Sequence, residues 1–222
     1  MSALVLLPGM NCTEDLWAWC GLDHALTPAL DRTTVDDQVA ALLDRLPPRF
    51  VLGGLSLGAI VAMELALRAP GRVESLVLVS TNSRAPTPGQ REAWARWRAA
   101  LAAGRSARDL QGEILDALLP PDVAAARPDL AERVLAMGRD DDLLRRQLAL
   151  QGSRTDLLPR LPALGVPTLV VSGARDPICP PPFHTTLAAA VPGAELATLP
   201  AGHLPPVELP REFGNLLRSR GA

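Results

Sequence analysis

Apolar residues in this chain gather into short continuous runs, each closed by small or turn-forming residues. Ala3-Leu4-Val5-Leu6-Leu7 ends in Pro8-Gly9, and Phe50-Val51-Leu52 ends in Gly53-Gly54. Val73 to Ser80 and Thr168 to Ser172 have the same texture. Runs of this length and composition predict strands buried on both faces of a parallel sheet. Ala194 to Leu199 is a final strand. Other stretches keep a helical period. Apolar positions 35, 39, 42, 43 and 46 lie on one face, Asp36 and Asp37 fall in the first turn, and Pro47-Pro48 stops the segment. Thr33 or Thr34 opens it as a cap. Ala59 to Leu67 is a second helix, ended by Ala69-Pro70-Gly71. Residues 183–191 and 207–218 are two more, and Thr13 caps a short helix carrying Leu16, Trp17 and Trp19. Residues 21–34 are poorly patterned, with room for a very short strand near Ala25 to Leu30. Strand and helix in alternation predict an α/β fold: a mostly parallel sheet flanked by helices.

From about residue 81 to residue 160 the alternation lapses. Helical segments are expected near 89–103, 106–119, 128–138 and 140–152, separated by Gly104, Pro120-Pro121, Pro128 and Gly138. Trp94 and Trp97 stand three apart on one helical face. The plan is a single domain over 1–222 with a helical cap inserted at about 82–160. It would cover the carboxyl edge of the sheet, where open α/β sheets hold their ligands. The plainer alternative is a pair of crossover helices with decoration.

Composition removes some functions. Of 222 residues, 48% are hydrophobic and 21% charged, which is ordinary for a globular chain. A net charge of −2 recommends neither nucleic acid nor an anionic membrane as a partner. Cys12, Cys20 and Cys179 are an odd set without zinc-site spacing, which argues against a disulfide framework. The N-terminal apolar run lacks a basic flank and is too short for a leader or a membrane span. A reduced, cytoplasmic setting is expected, with a small-molecule substrate and the oligomeric state open.

The chemistry centres on Gly54-Leu55-Ser56-Leu57-Gly58, read between the second strand and the following helix. A serine on so tight a strand-to-helix turn needs near side-chain-free residues two before and two after it. Gly54 and Gly58 supply them. Ser56 then stands above the sheet edge at the positive end of the helix. The alternative is an ordinary serine in a glycine-rich turn. A serine hydroxyl needs a base, and there are three histidines. His24 lies in the unpatterned stretch, and His184 starts a helix where it faces solvent or packs. His203 follows the last strand in Pro200-Ala201-Gly202-His203-Leu204, on the same edge as Ser56, and is the candidate base. Asp176 follows the preceding strand in Gly173-Ala174-Arg175-Asp176-Pro177 and is the candidate to orient that base; otherwise it is a turn aspartate before proline. Asp156, Glu195 and Glu208 compete with it, though none directly follows a strand. Two backbone N–H groups are sought for an oxyanion: Leu57, next after the serine, and Met10, in the loop after the first strand. Met10, Cys12 and Cys179 would line the pocket, or simply be buried.

With these segments in place, the chain resembles the α/β-hydrolase-fold serine hydrolases over nearly its whole length, most of all the small soluble bacterial carboxylesterase-like members. Leu6-Leu7-Pro8-Gly9-Met10, Gly53 to Gly58, Gly173 to Pro177 and Gly202-His203-Leu204 carry the likeness, with Pro206, Glu208 and Pro210. The resemblance implies a triad of Ser56, Asp176 and His203, with no metal and no cofactor. It also marks departures. The antiparallel hairpin before the first parallel strand is missing, and the strand and glycine loop usual near residues 20–34 are absent or eroded. Hydrolysis of a carboxylic ester or thioester is the leading reading. The same triad could instead serve acyl transfer, carbon–carbon cleavage or lyase or cyclase chemistry, or the fold could serve a ligand sensor. A serine at 56 disfavours dehalogenase-like chemistry, which would need an aspartate there.

Overall fold

A computed structural model describes residues 3–219. Among the described residues, five strands form one sheet: β1 (Ala3–Leu7), β2 (Phe50–Leu55), β3 (Val73–Val79), β4 (Thr168–Gly173) and β5 (Glu195–Leu199). They lie side by side in chain order, and every pairing is parallel. All five carboxyl ends therefore open onto one edge. The stretch expected to hold a very short strand contributes a single parallel bridge, Leu26 to Val5, beside β1. Its N–H donates to the Leu4 carbonyl, and its carbonyl accepts from Leu6 N–H.

Side chains alternate across the sheet, so each strand feeds two cores. Val5, Leu7, Phe50, Leu52, Leu76, Leu78 and Val170 face a core shared with α1 (Val35–Arg45) and α2 (Leu57–Arg68). Leu4, Leu6, Val51, Leu55, Val77, Val79, Leu169 and Val171 face the other, which takes in Leu16, Trp17, Phe213 and Leu217. This is why the strands read as unbroken apolar runs. α1 begins where Thr34 accepts the Asp37 N–H at 3.1 Å, so Thr34 is the cap. In α2 every residue from Leu57 to Ala66 is buried. Its carboxylate Glu64, buried among apolar neighbours, is paired with Arg68 and Arg160, whose nearest nitrogens each lie 2.6 Å from it.

Six α-helices and a 3-10 turn (Leu158–Ala163) occupy the chain between β3 and β4: α3 (Pro88–Ala102), α4 (Ala107–Glu113), α5 (Leu115–Leu118), α6 (Pro121–Ala126), α7 (Pro128–Met137) and α8 (Asp141–Ser153). Sequence pattern had predicted four segments there. The helix expected over 106–119 breaks at Ile114, and Pro121 opens a short helix instead of only ending one. Proline is well suited to a first helical turn, where its missing N–H costs nothing. After β4 come α9 (Pro181–Ala190), α10 (Pro205–Glu208) and α11 (Pro210–Arg218). The single helix expected over 207–218 is two, because Leu209 before Pro210 leaves the helical conformation. Trp19, expected in a short helix, lies outside the 3-10 turn Glu14–Trp17 at φ 70°, with the Arg133 guanidinium 3.9 Å from its ring centre.

Leu52 has no exposed surface and lies on β2, a strand paired on both sides. Leu52→Ala is expected to lower the unfolding free energy by about 2–5 kcal/mol in urea titration; a loss well under 1 kcal/mol would mean that the two-faced sheet is not the stabilising core.

Candidate active site

The turn from β2 into α2 carries Ser56 at φ 53° and ψ −112°, a backbone conformation that non-glycine residues rarely adopt. The surroundings impose it. Ser56 N–H donates to the Val79 carbonyl at 2.9 Å. Its carbonyl accepts from Ala59 and Ile60 N–H and from the Thr81 hydroxyl at 3.0 Å. A Cβ on Gly54 would lie 2.5 Å from the Gly58 backbone, and one on Gly58 would run into the Leu7 carbonyl. Backbone cannot yield as a side-chain tip can, so both positions require glycine for steric reasons.

Asp176 and His203 stand on the loops after β4 and β5, each 3% exposed. His203 Nδ1 and Asp176 Oδ2 are 2.8 Å apart. Asp176 Oδ1 accepts from Ile178 and Cys179 N–H, both at 2.9 Å, which fixes the carboxylate in place. With Nδ1 directed at the carboxylate, Nε2 is the ring nitrogen left for other work. His203 and Ser56 border one cavity of ≈ 280 Å³. No hydrogen bond joins Ser56 Oγ to the ring among the described residues; such contacts commonly tighten only when substrate is bound. The competing acids are elsewhere. Asp156 caps Leu158 N–H at 3.0 Å, and Glu195 is exposed on β5. Glu208 accepts Gly202 N–H with both oxygens, at 2.9 and 3.0 Å, and so shapes the loop that presents His203. Burial raises its pKa.

Met10 borders the cavity, in a turn closed by Cys12 N–H to the Gly9 carbonyl at 3.2 Å. Leu57 opens α2, so its N–H has no acceptor within the helix. Asn11, which follows Met10, reads in the sequence only as part of the loop. It sits at φ 58° and is 5% exposed. Its N–H donates to Gln147 Oε1 at 2.7 Å, and its side-chain amide donates to the Ala107 carbonyl at 2.9 Å and Gln111 Oε1 at 2.8 Å. The loop that carries Met10 is thereby tied to α4 and α8. The available signal was chemical: asparagine tolerates a positive φ better than other non-glycine residues.

His24 is exposed and does not border the cavity. His184, expected to face solvent or pack, is fully buried, and its Nε2 accepts Thr81 N–H at 2.9 Å. Burial pulls its pKa down to about 4, so it stays neutral and supports the residue that binds the Ser56 carbonyl. Cys12 and Cys179 border the cavity, and burial pushes both thiols up to about 12, which removes them as rival nucleophiles. Cys179 Sγ lies within 4.8 Å of ligand atoms of Asp176 and His203. That carboxylate is already engaged by two N–H groups and the ring, and the thiol is held protonated, so this trio suits a hydrogen-bonded pair better than a metal.

A serine held on a strained strand-to-helix turn of an all-parallel sheet defines the α/β fold of the hydrolase type. The chain belongs to the alpha/beta hydrolase family, whose model matches residues 4–215. The protein named "Putative carbamate hydrolase RutD" from Klebsiella pneumoniae is 34% identical over 77% of this chain, which spans 65% of that relative, just under two thirds of its length. A pimeloyl-[acyl-carrier protein] methyl ester esterase from Nitrosomonas europaea is 31% identical over 93% of this chain and 79% of its own. A thermophilic esterase from Thermogutta terrifontis, solved with malate bound, superposes with TM-score 0.88 at 25% identity, covering 99% of this chain and 89% of its own.

Two outcomes test these supports. Neutral His184 favours the folded state only while the unfolded chain's histidine would also be neutral. Stability should therefore fall as pH drops from about 6.5 towards 4, with an uptake of about one proton. His184→Gln, which keeps an acceptor for Thr81, should flatten that part of the urea-midpoint profile; an unchanged slope would contradict it. Asn11→Ala removes the side-chain amide that donates to the Ala107 carbonyl and Gln111 Oε1, leaving both buried acceptors without it, and should lower the unfolding free energy by about 2–3 kcal/mol.

Proposed function

We propose that this chain is a serine hydrolase that cleaves a carboxylic ester or thioester of a small molecule through an acyl-enzyme. Ser56 is the nucleophile, His203 the general base and then acid, and Asp176 the group that orients the imidazole. As Ser56 Oγ bonds to the substrate carbonyl carbon, its proton passes to His203 Nε2. Asp176 accepts from Nδ1 and stabilises the imidazolium that results. The oxyanion takes hydrogen bonds from Met10 and Leu57 N–H. Collapse of the intermediate releases an alcohol or thiol, which leaves with the proton from Nε2. Water, deprotonated by the same nitrogen, then attacks the acyl-serine, frees the acid and returns the proton to Ser56.

The observation that carries this reading is the pairing of a strained Ser56 with a buried Asp176–His203 couple on one cavity. The names of the relatives, a hydrolase and esterases, support it. The segment from α3 to α8 acts as a cap over the edge, within one domain: Trp94, Trp97, Ile114 and Leu118 come from it and border the cavity. No helix among the described residues is long and apolar enough to cross a membrane. A cytoplasmic setting fits its three free, buried cysteines.

A fluorophosphonate probe should label the wild-type chain and fail on Ser56→Ala. Turnover of short p-nitrophenyl esters should fall about 10⁴-fold in Asp176→Asn. Equal labelling of both proteins would remove Ser56 as the nucleophile.

A further inference from the structure

Arg154, directly after α8, borders the cavity and is only 6% exposed. A guanidinium has five N–H donors. Nη1 donates to Gln151 Oε1 at 3.0 Å and Nη2 to Gln90 Oε1 at 2.9 Å, both neutral amides. Nε is buried and has no acceptor. The carbon at the centre of the group lies 5.3 Å from the ring centre of Trp94, which offsets a little of the charge. Cys179 and Arg91 are the charged or titratable groups it feels, and neither is a carboxylate. Arg154 also borders a second, smaller cavity, where Asp36 and Glu64 are already paired with Arg68 and Arg160. Its positive charge thus has no carboxylate partner among the described residues, and burial draws its pKa down to about 10.

An unpaired buried cation is expensive. Joining Gln90 to Gln151 does not require one, since a neutral amide would do it. The cost is recovered when an anion enters the cavity, because the attraction is strong where water is excluded. A single guanidinium balances a single negative charge, and its planar fork matches a carboxylate.

We propose that Arg154 recognises a free carboxylate on the substrate, so that the cavity selects small esters that carry a carboxylate besides the scissile group. This rests on Ser56 being the nucleophile. The amides of Gln90 and Gln151 hold the guanidinium in the cavity wall, and Trp94 packs the apolar part of the substrate beside it.

The test compares mono-p-nitrophenyl esters of succinate, glutarate and adipate with neutral p-nitrophenyl butyrate and hexanoate. Calorimetric titration of free glutarate into Ser56→Ala, with and without Arg154→Gln, accompanies it. Wild type should favour at least one half-ester in kcat/KM. Arg154→Gln should cost that half-ester about 10- to 100-fold while sparing the neutral esters. Arg154→Lys should restore part of the preference, and glutarate binding should vanish with Arg154→Gln. The proposal is overturned if wild type neither prefers a half-ester nor binds glutarate, or if Arg154→Gln depresses charged and neutral esters alike. If Arg154→Gln does not fold, the wild-type preference and the Arg154→Lys kinetics decide in the same sense. Failure of fluorophosphonate labelling with glutarate binding intact would sink the nucleophile assignment alone. Labelling with no carboxylate preference or binding would sink this proposal alone.

Discussion

The site hangs on the backbone of one residue. Ser56 is held in a conformation costing about 1–3 kcal/mol relative to ordinary backbone, and such a state persists only where its surroundings leave no alternative. Here its N–H belongs to Val79, its carbonyl to α2 and Thr81, and the chain on either side is pressed against other backbone. Relaxing the turn would break these bonds and pull α2 away from β1. The sheet core is thus what keeps the serine raised. This also explains the support behind Thr81: His184 reaches it from α9 while remaining uncharged, so the prop adds no charge to the buried edge.

A second constraint is topological. Five parallel strands deliver five loops to the same edge, so residues 56, 176 and 203 meet there although more than a hundred residues separate the first two. Loops need local anchors to be accurate. Asp176 is clamped by two N–H groups of its own turn, and the loop before His203 is clamped by Glu208. The Met10 loop is clamped from outside the sheet by Gln147 and Gln111. The helices between β3 and β4 therefore do more than border the cavity. They fix one of its walls through buried amides, whose hydrogen bonds are worth more there than in water.

Much of this was legible in the sequence because the responsible constraints are local. Apolar runs revealed strands buried on both faces, and the glycines at 54 and 58 revealed a turn without room for Cβ atoms. Position after a strand singled out Asp176 over Glu208 and His203 over His24. What the sequence hid is decided by contacts between distant segments. Nothing near His184 says that it will be buried against Thr81, and nothing near Asn11 announces two glutamines more than ninety residues away. Ile114 interrupts a helix and Pro121 starts one, and the local helical pattern marks neither. The unpaired state of Arg154 was equally invisible, since a lone arginine in a sequence carries no sign of its missing partner.

The central claim is geometric: three loops converge on one reacting carbonyl. A crystal structure of the chain after reaction with a phosphonate ester, which mimics the tetrahedral intermediate, tests it most directly. The account predicts phosphorus bonded to Ser56 Oγ, the phosphoryl oxygen about 2.7–3.1 Å from Met10 and Leu57 N–H, and His203 Nε2 within hydrogen-bonding reach of Oγ. An adduct on another residue, or a phosphoryl oxygen directed away from those two N–H groups, would contradict it.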